Sequence, residues 1–192
     1  MWKKILAISV LSLFIGMSAQ AQFTSEEDRN LFDEGTRMVG GTASLTVISY
    51  SGKSLTQLVM APNVVRFFAP NHGVGADAAI AITTEGKISI ASLAIGPKYL
   101  LGFGELEKTV LPYLGVGVSL LSESITIESD GYSSNSQTAT KTGYRFKGAF
   151  GLMVKLNQHL GVPIELGFTY DKIESSKQTT ISIAAGLAGF LF

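Results

Sequence analysis

Residues 143–171 read GYRFKGAFGLMVKLNQHLGVPIELGFTYD, two runs of strict alternation around a short polar turn. In the first run Tyr144, Phe146, Phe150, Leu152, Val154 and Leu156 share one parity, and Arg145, Lys147, Ala149, Gly151, Met153 and Lys155 share the other. In the second, Val162, Ile164, Leu166, Phe168 and Tyr170 oppose Pro163, Glu165, Gly167, Thr169 and Asp171. Strand side chains point to opposite faces with period two, so each run is a two-faced strand and Asn157 to Gly161 turns between them. The polar face mixes its charges with Gly and Ala, which suit a crowded interior better than a solvated surface. The apolar face therefore reads as lipid-facing and the charged, small-residue face as the inside of a closed barrel.

Composition agrees. Of 192 residues 16% are charged and none is cysteine, against about 25% charged in an ordinary soluble domain, and mean hydropathy is +0.31. At the N-terminus Lys3 and Lys4 precede an apolar run from Ile5 to Met17, followed by the small residues of Ala19-Gln20-Ala21. Residues 1–21 are expected to be a cleaved secretory signal peptide, since that run is shorter than the roughly 20 residues of a membrane helix. Without the two lysines, 13 basic residues face 15 acidic ones. Nothing in that balance recruits nucleic acid, and no later segment is long and apolar enough for a membrane helix.

Residues 22–37 differ from the rest. Thr24 and Glu27 have capping-box spacing and Gly35 is placed to end a short helix. This segment is expected to lie in the periplasm, as a dispensable tether or a small plug. Strands then recur at Val39 to Ser49, Leu55 to Phe68, Val74 to Ile82, Lys87 to about Leu101, from about Thr109 to Ile127, in the two runs above, and from Gln178 to Phe192. Apolar parity changes from Ile88 and Ile90 to Leu93 and Ile95, which predicts a bulge near Ser92. The count predicts an all-β fold, an eight-stranded antiparallel up-and-down transmembrane β-barrel over 38–192, with both termini on the periplasmic side. Phe67, Phe68, Phe103, Phe190 and Phe192 are then expected at the periplasmic rim, and Tyr50, Tyr144 and Tyr170 at the outer one.

With the stretches Ala61-Pro62-Asn63-Val64-Val65-Arg66-Phe67-Phe68, Ile95-Gly96-Pro97-Lys98-Tyr99 and Leu111-Pro112-Tyr113-Leu114-Gly115-Val116-Gly117 and a terminal Phe192, the chain resembles the small outer-membrane barrels related to OmpA, OmpX and OmpW. The resemblance covers residues 38–192. It implies a Gram-negative outer membrane with lipid and lipopolysaccharide around the barrel, and Phe192 as the signal read by the barrel-assembly machinery. Such signals carry bulky residues on the parity of the last Phe. Here Ala184, Gly186 and Ala188 hold that parity and Ile181, Ile183, Leu187 and Leu191 the other, so the register of the last strand stays open.

Arg66, Asp77, Lys98, Arg145, Lys147 and Glu165 are the candidate luminal network, joined by Lys155 and Asp171. In a narrow barrel buried ions must pair, because an isolated one costs several kcal/mol. Glu165 is expected to pair with Arg145, Lys147 or Arg66. His72 and His159 fall in turns on the periplasmic side, away from the outer leaflet where barrel enzymes work, so no catalytic residue is assigned. No metal spacing or phosphate-binding glycine loop is present, and no cofactor is expected. The leading reading is a non-enzymatic structural or surface-interaction barrel; the alternatives are a narrow channel or carrier for small or hydrophobic solutes and a soluble lipocalin-like binder. From Leu111 to Ile127 the fifth strand spans 17 residues, about 56 Å, whereas a tilted membrane strand needs about 9 to 11 residues. The surplus predicts a raised extracellular hairpin with Asp130, Tyr132 and Asn135 at its tip and an extracellular protein partner.

Overall fold

The computed structural model describes residues 30–50, 53–103, 109–127, 137–174 and 176–192. Eight strands follow in order: β1 (Arg37–Tyr50), β2 (Lys53–Ala69), β3 (His72–Glu85), β4 (Ile88–Gly102), β5 (Val110–Ile127), β6 (Gln137–Lys155), β7 (Leu160–Ile173) and β8 (Ser176–Leu191). Each pairs antiparallel with its neighbour, and β8 returns to β1 to close the barrel. The terminal end holds the chain entering β1 and leaving β8. The far end holds the β1–β2, β3–β4, β5–β6 and β7–β8 connections.

Alternation decides which side chains fill the barrel. Leu114, Val116, Val118 and Leu120 of β5 are 42%, 56%, 46% and 75% exposed, while Leu111, Tyr113 and Ser119 between them are buried. Phe146, Phe150, Ile164, Leu166 and Phe168 likewise face out, and Ala149, Met153 and Glu165 face in. The outer surface is therefore a continuous apolar belt.

Three expectations about register meet a different structure. β4 runs opposite β3 without a break from His72–Leu101 to Glu85–Ile88, so there is no bulge at Ser92. The change of parity is real but chemical: above Ala94 the interior itself turns apolar, with Leu121, Ile173 and Ala79 packed on Ala94. In β2 the irregularity lies between Phe67 and Ala69, and Pro62 keeps its place opposite Gly41. In β8, Ala188 and Phe190 point in while Ile181, Ile183, Leu187 and Leu191 point out; Phe192 lies past the strand end.

Phe67 and Phe190, expected at the rim, are instead fully buried inside the terminal end. Phe68, Phe103 and Phe192 are exposed there, and Tyr144 is exposed toward the far end.

The N-terminal segment is a plug over its described part. Residues 30–36 make successive turns, with the amides of Asp33 and Thr36 donating to the carbonyls of Asn30 and Asp33; the capping-box residues before them lie outside the described residues. Leu31 and Phe32 are fully buried among Met38, Val65, Phe67, Leu100, Leu111, Tyr113, Met153 and Phe190. Phe32 stacks on Phe67 at 5.3 Å and meets Tyr113 edge-on at 6.4 Å. Backbone bonds hold it: Asn71 N donates to Phe32 O at 2.7 Å, Gly35 N to Phe67 O and Phe67 N to Thr36 O, both at 2.9 Å. Asn71 sits in the β2–β3 turn at φ 66°, a conformation that Asn tolerates. Gly102 makes room for the plug, since a methyl there would enter the Phe32 ring.

Closure is uneven around the barrel. β1 and β2 pair from Arg37–Arg66 to Tyr50–Lys53, but β1 and β8 pair only from Arg37–Leu191 to Ala43–Ala185. Beyond Ala43 the same register would bring Ser44 to Ala184 and Leu45 to Ile183, and those partners are not joined. Leu45, Ile181 and Ile183 on this seam are 67%, 73% and 74% exposed, more than most of the belt.

Candidate functional site

Above the plug lies a layer of charge. β6 and β7 place Arg145 directly opposite Asp171, and the guanidinium grips the carboxylate through Nε–Oδ1 and Nη2–Oδ2, both 2.7 Å. This fork is the strong, geometrically fixed form of an ion pair. Lys147 Nζ donates to Asp77 Oδ2 at 3.4 Å. Glu165 takes the Tyr113 hydroxyl at 2.8 Å and lies 3.9 Å from Lys98 Nζ. Gly151 lets the Tyr113 ring pass, because a methyl there would run into it.

The geometry corrects two details of the expected network. Glu165 meets none of Arg145, Lys147 or Arg66: its charged partner is Lys98, which reaches across from β4. Neighbouring strands are not the only source of partners in a barrel this narrow. Arg66 is not luminal at all. The inward parity of β2 belongs to Asn63, Val65 and Phe67, which leaves Arg66 outside and exposed. Of the expected residues, Asp77, Lys98, Arg145, Lys147 and Glu165, with Asp171, come together inside the barrel; Lys155 is half-buried near the terminal end.

Tyr113, Asn63, Thr42 and Ser119 are interior polar residues that charge alone did not single out. A tyrosine on the inward parity of a glycine-rich strand is the signal that could have marked Tyr113. Asn63 Oδ1, Asp77 Oδ1 and Lys98 Nζ have no hydrogen-bond partner. With three anions and three cations the layer is balanced, and it is bound by Coulomb attraction more than by a complete set of bonds.

The lumen is not filled evenly. Below and within the charged layer the inward residues are mostly buried. Toward the far end inward residues such as Ser44, Val59, Ile90, Ser92, Glu123, Ile125, Thr180 and Ser182 are only half-buried. This half is a cup with the ion layer as its floor, and the β1–β8 seam opens in its wall. The histidines lie at the other end: His72 Nδ1 is 2.6 Å from Tyr99 Oη on the outer face, and His159 packs edge-on against Phe192 at 5.6 Å. Asp130, Tyr132 and Asn135 fall outside the described residues.

A closed eight-stranded up-and-down barrel, apolar outside and charged within, is the fold of the small outer-membrane barrel proteins. Neisserial surface protein A (NspA) shares it at 15% identity and a TM-score of 0.61, over 81% of this chain and 97% of that one. Outer membrane protein OprG from Pseudomonas aeruginosa shares it at 14% identity and a TM-score of 0.51, over 85% and 99%. No protein-family model and no curated sequence matches the chain.

Proposed function

We propose that the protein is a non-enzymatic integral outer-membrane barrel, exported through a signal peptide at residues 1–21, whose role is structural or surface interaction. The observation that carries this is the outer belt. Leucine, isoleucine, valine and phenylalanine side chains are about half exposed on every strand except the masked parts of the chain, far more apolar surface than a soluble monomer presents. Hydrocarbon is the solvent such a belt fits, and a closed barrel satisfies backbone groups within it. In this reading the terminal end faces the periplasm, Phe192 is the residue read by the assembly machinery, and lipid and lipopolysaccharide surround the belt.

The interaction role rests on β6. Its partner β7 begins only at Ile173 opposite Gly143, so residues 137–142 pair with β5 alone. The raised wall is broader than a two-stranded hairpin, because β4 accompanies β5 up to Ile88–Ile127. The free edge of β6 offers backbone donors and acceptors to an extended strand of a partner protein. Heat-modifiable migration after detergent extraction tests the membrane reading, and protease treatment of intact cells tests the orientation. Cleavage near residues 130–137 is expected; complete protection of an inserted barrel inverts the topology.

A second reading, a carrier for small hydrophobic solutes, is favoured by the seam beside the cup. Its test is a Ser44→Cys/Ala184→Cys crosslink. Proteoliposomes taking up N-phenylnaphthylamine should lose that uptake when the disulfide forms, and uptake insensitive to the crosslink removes this reading.

A further inference from the structure

Arg37 of β1 and Arg66 of β2 stand directly opposite each other on the outer face of the terminal end, both exposed. Cross-strand neighbours lie at about 5 Å, and like charges in that position repel. Neither guanidinium has a carboxylate partner among the described residues. Along the same row Leu191 flanks Arg37 and Val74 flanks Arg66. Two residues along β2 in either direction lie Val64 and Phe68, 53% and 52% exposed on the same face. The cation pair is thus embedded at the lower border of the apolar belt.

Its depth is marked by an aromatic cluster. Tyr99 follows Val74 in the row; its hydroxyl meets His72, whose ring lies 6.2 Å from Phe68. Aromatic residues with a polar edge concentrate where hydrocarbon gives way to headgroups.

We infer that Arg37 and Arg66 form a binding site for the phosphate of an anionic phospholipid in the leaflet at the terminal end. One anion between two guanidiniums turns their repulsion into attraction, and the planar forks suit phosphate oxygens bidentately. Val64, Val74, Phe68 and Leu191 lie where the acyl chains of the same molecule would run, which selects a lipid over free phosphate. The site rests on the membrane reading and adds a specific ligand to it.

The test uses the full mature barrel in detergent, with folding confirmed by heat-modifiable migration, exposed to an equimolar mixture of phosphatidylcholine and phosphatidylglycerol. Native mass spectrometry should show retained phosphatidylglycerol on the wild type and about tenfold weaker retention on Arg37→Gln/Arg66→Gln, the effect of losing one charged hydrogen-bonded contact. Arg37→Lys/Arg66→Lys, which keeps charge and loses the forks, should fall between. Lys172→Gln/Lys177→Gln removes the same charge from the far end, where those two lysines pair across β7 and β8, and should retain lipid as the wild type does. Equal retention by the arginine and wild-type proteins, equal loss from the lysine control, or displacement of the lipid by inorganic phosphate overturns the proposal. A protein that stays soluble and monomeric without detergent instead overturns the membrane reading, a separate outcome.

Discussion

Glu165→Gln isolates one charge in the middle of the barrel. Glu165 and Lys98 are 5% and 4% exposed, and the glutamine keeps an oxygen for the Tyr113 hydroxyl that now donates to Glu165 at 2.8 Å. What disappears is the counter-charge 3.9 Å from the Lys98 ammonium, whose nitrogen has no hydrogen bond to fall back on. The other carboxylates are engaged, Asp77 with Lys147 and Asp171 with Arg145. Leaving a buried ion uncompensated costs about 3 to 5 kcal/mol, which for a chain of this size lowers the melting temperature by about 6 to 20 °C. Thermal unfolding in detergent, followed by gel migration and far-ultraviolet circular dichroism, measures it. Adding Lys98→Met restores neutrality and should recover most of the loss, since a buried pair replaced by neutral side chains is often no less stable. A Glu165→Gln barrel as stable as the wild type, or a double variant worse than either single one, would falsify the pairing.

The plug predicts that Phe32→Ala costs about 3 to 5 kcal/mol, the usual loss for a fully buried phenylalanine, read as a lower melting temperature in the same assay. Deleting residues 30–36 should destabilise the barrel further and make its terminal-end lumen accessible to a thiol reagent at Val65→Cys; unchanged stability would mean that the segment is the dispensable tether. Gly102→Leu should reproduce part of that defect by pushing out the Phe32 ring, whereas Gly148→Leu, where no atom lies within 4 Å of the added carbon, should not. On the lipid side, Leu166→Arg should cost about 2 to 4 kcal/mol if it lies near the bilayer centre, measured by reversible urea unfolding in vesicles, and a neutral result would argue against burial of that face in hydrocarbon.

Alternation was enough to read the strand count, the order of the hairpins and the facing of β5, β6 and β7, because every second residue there is apolar with few exceptions. It failed where residue type was taken for position. Arg66 was assigned inward as a charge, yet the parity of β2 is set by Val65 and Phe67, and an arginine at the belt's border can keep its head in water. Lys98 was missed as the partner of Glu165 because register names only neighbours on adjoining strands, while a long side chain crosses a narrow lumen. Ile88 and Ile90 suggested a bulge because the interior was taken as polar throughout, and it is layered instead. Leu31 and Phe32 are only two apolar residues in a polar stretch, and no periodicity marks a segment whose anchors are backbone hydrogen bonds.

The plug also bears on the order in which the barrel can be built. Its anchors, Phe67, Asn71, Gly102 and Tyr113, all lie in the first half of the barrel sequence, whereas the β1–β8 junction joins the two extremes of the chain and is the shortest zipper in the sheet. Contacts between distant segments close late, because their loop entropy must be overcome before any bond is gained. Residues 30–36 can therefore dock onto β2, β3 and β4 while the sheet is still an open, curling ribbon, giving its concave side an apolar centre before β8 arrives. Pulse-labelled hydrogen exchange during refolding into vesicles should then protect Asn71 and Gly102 before Ala43 and Ala185, and simultaneous protection would show that the plug enters only a finished barrel.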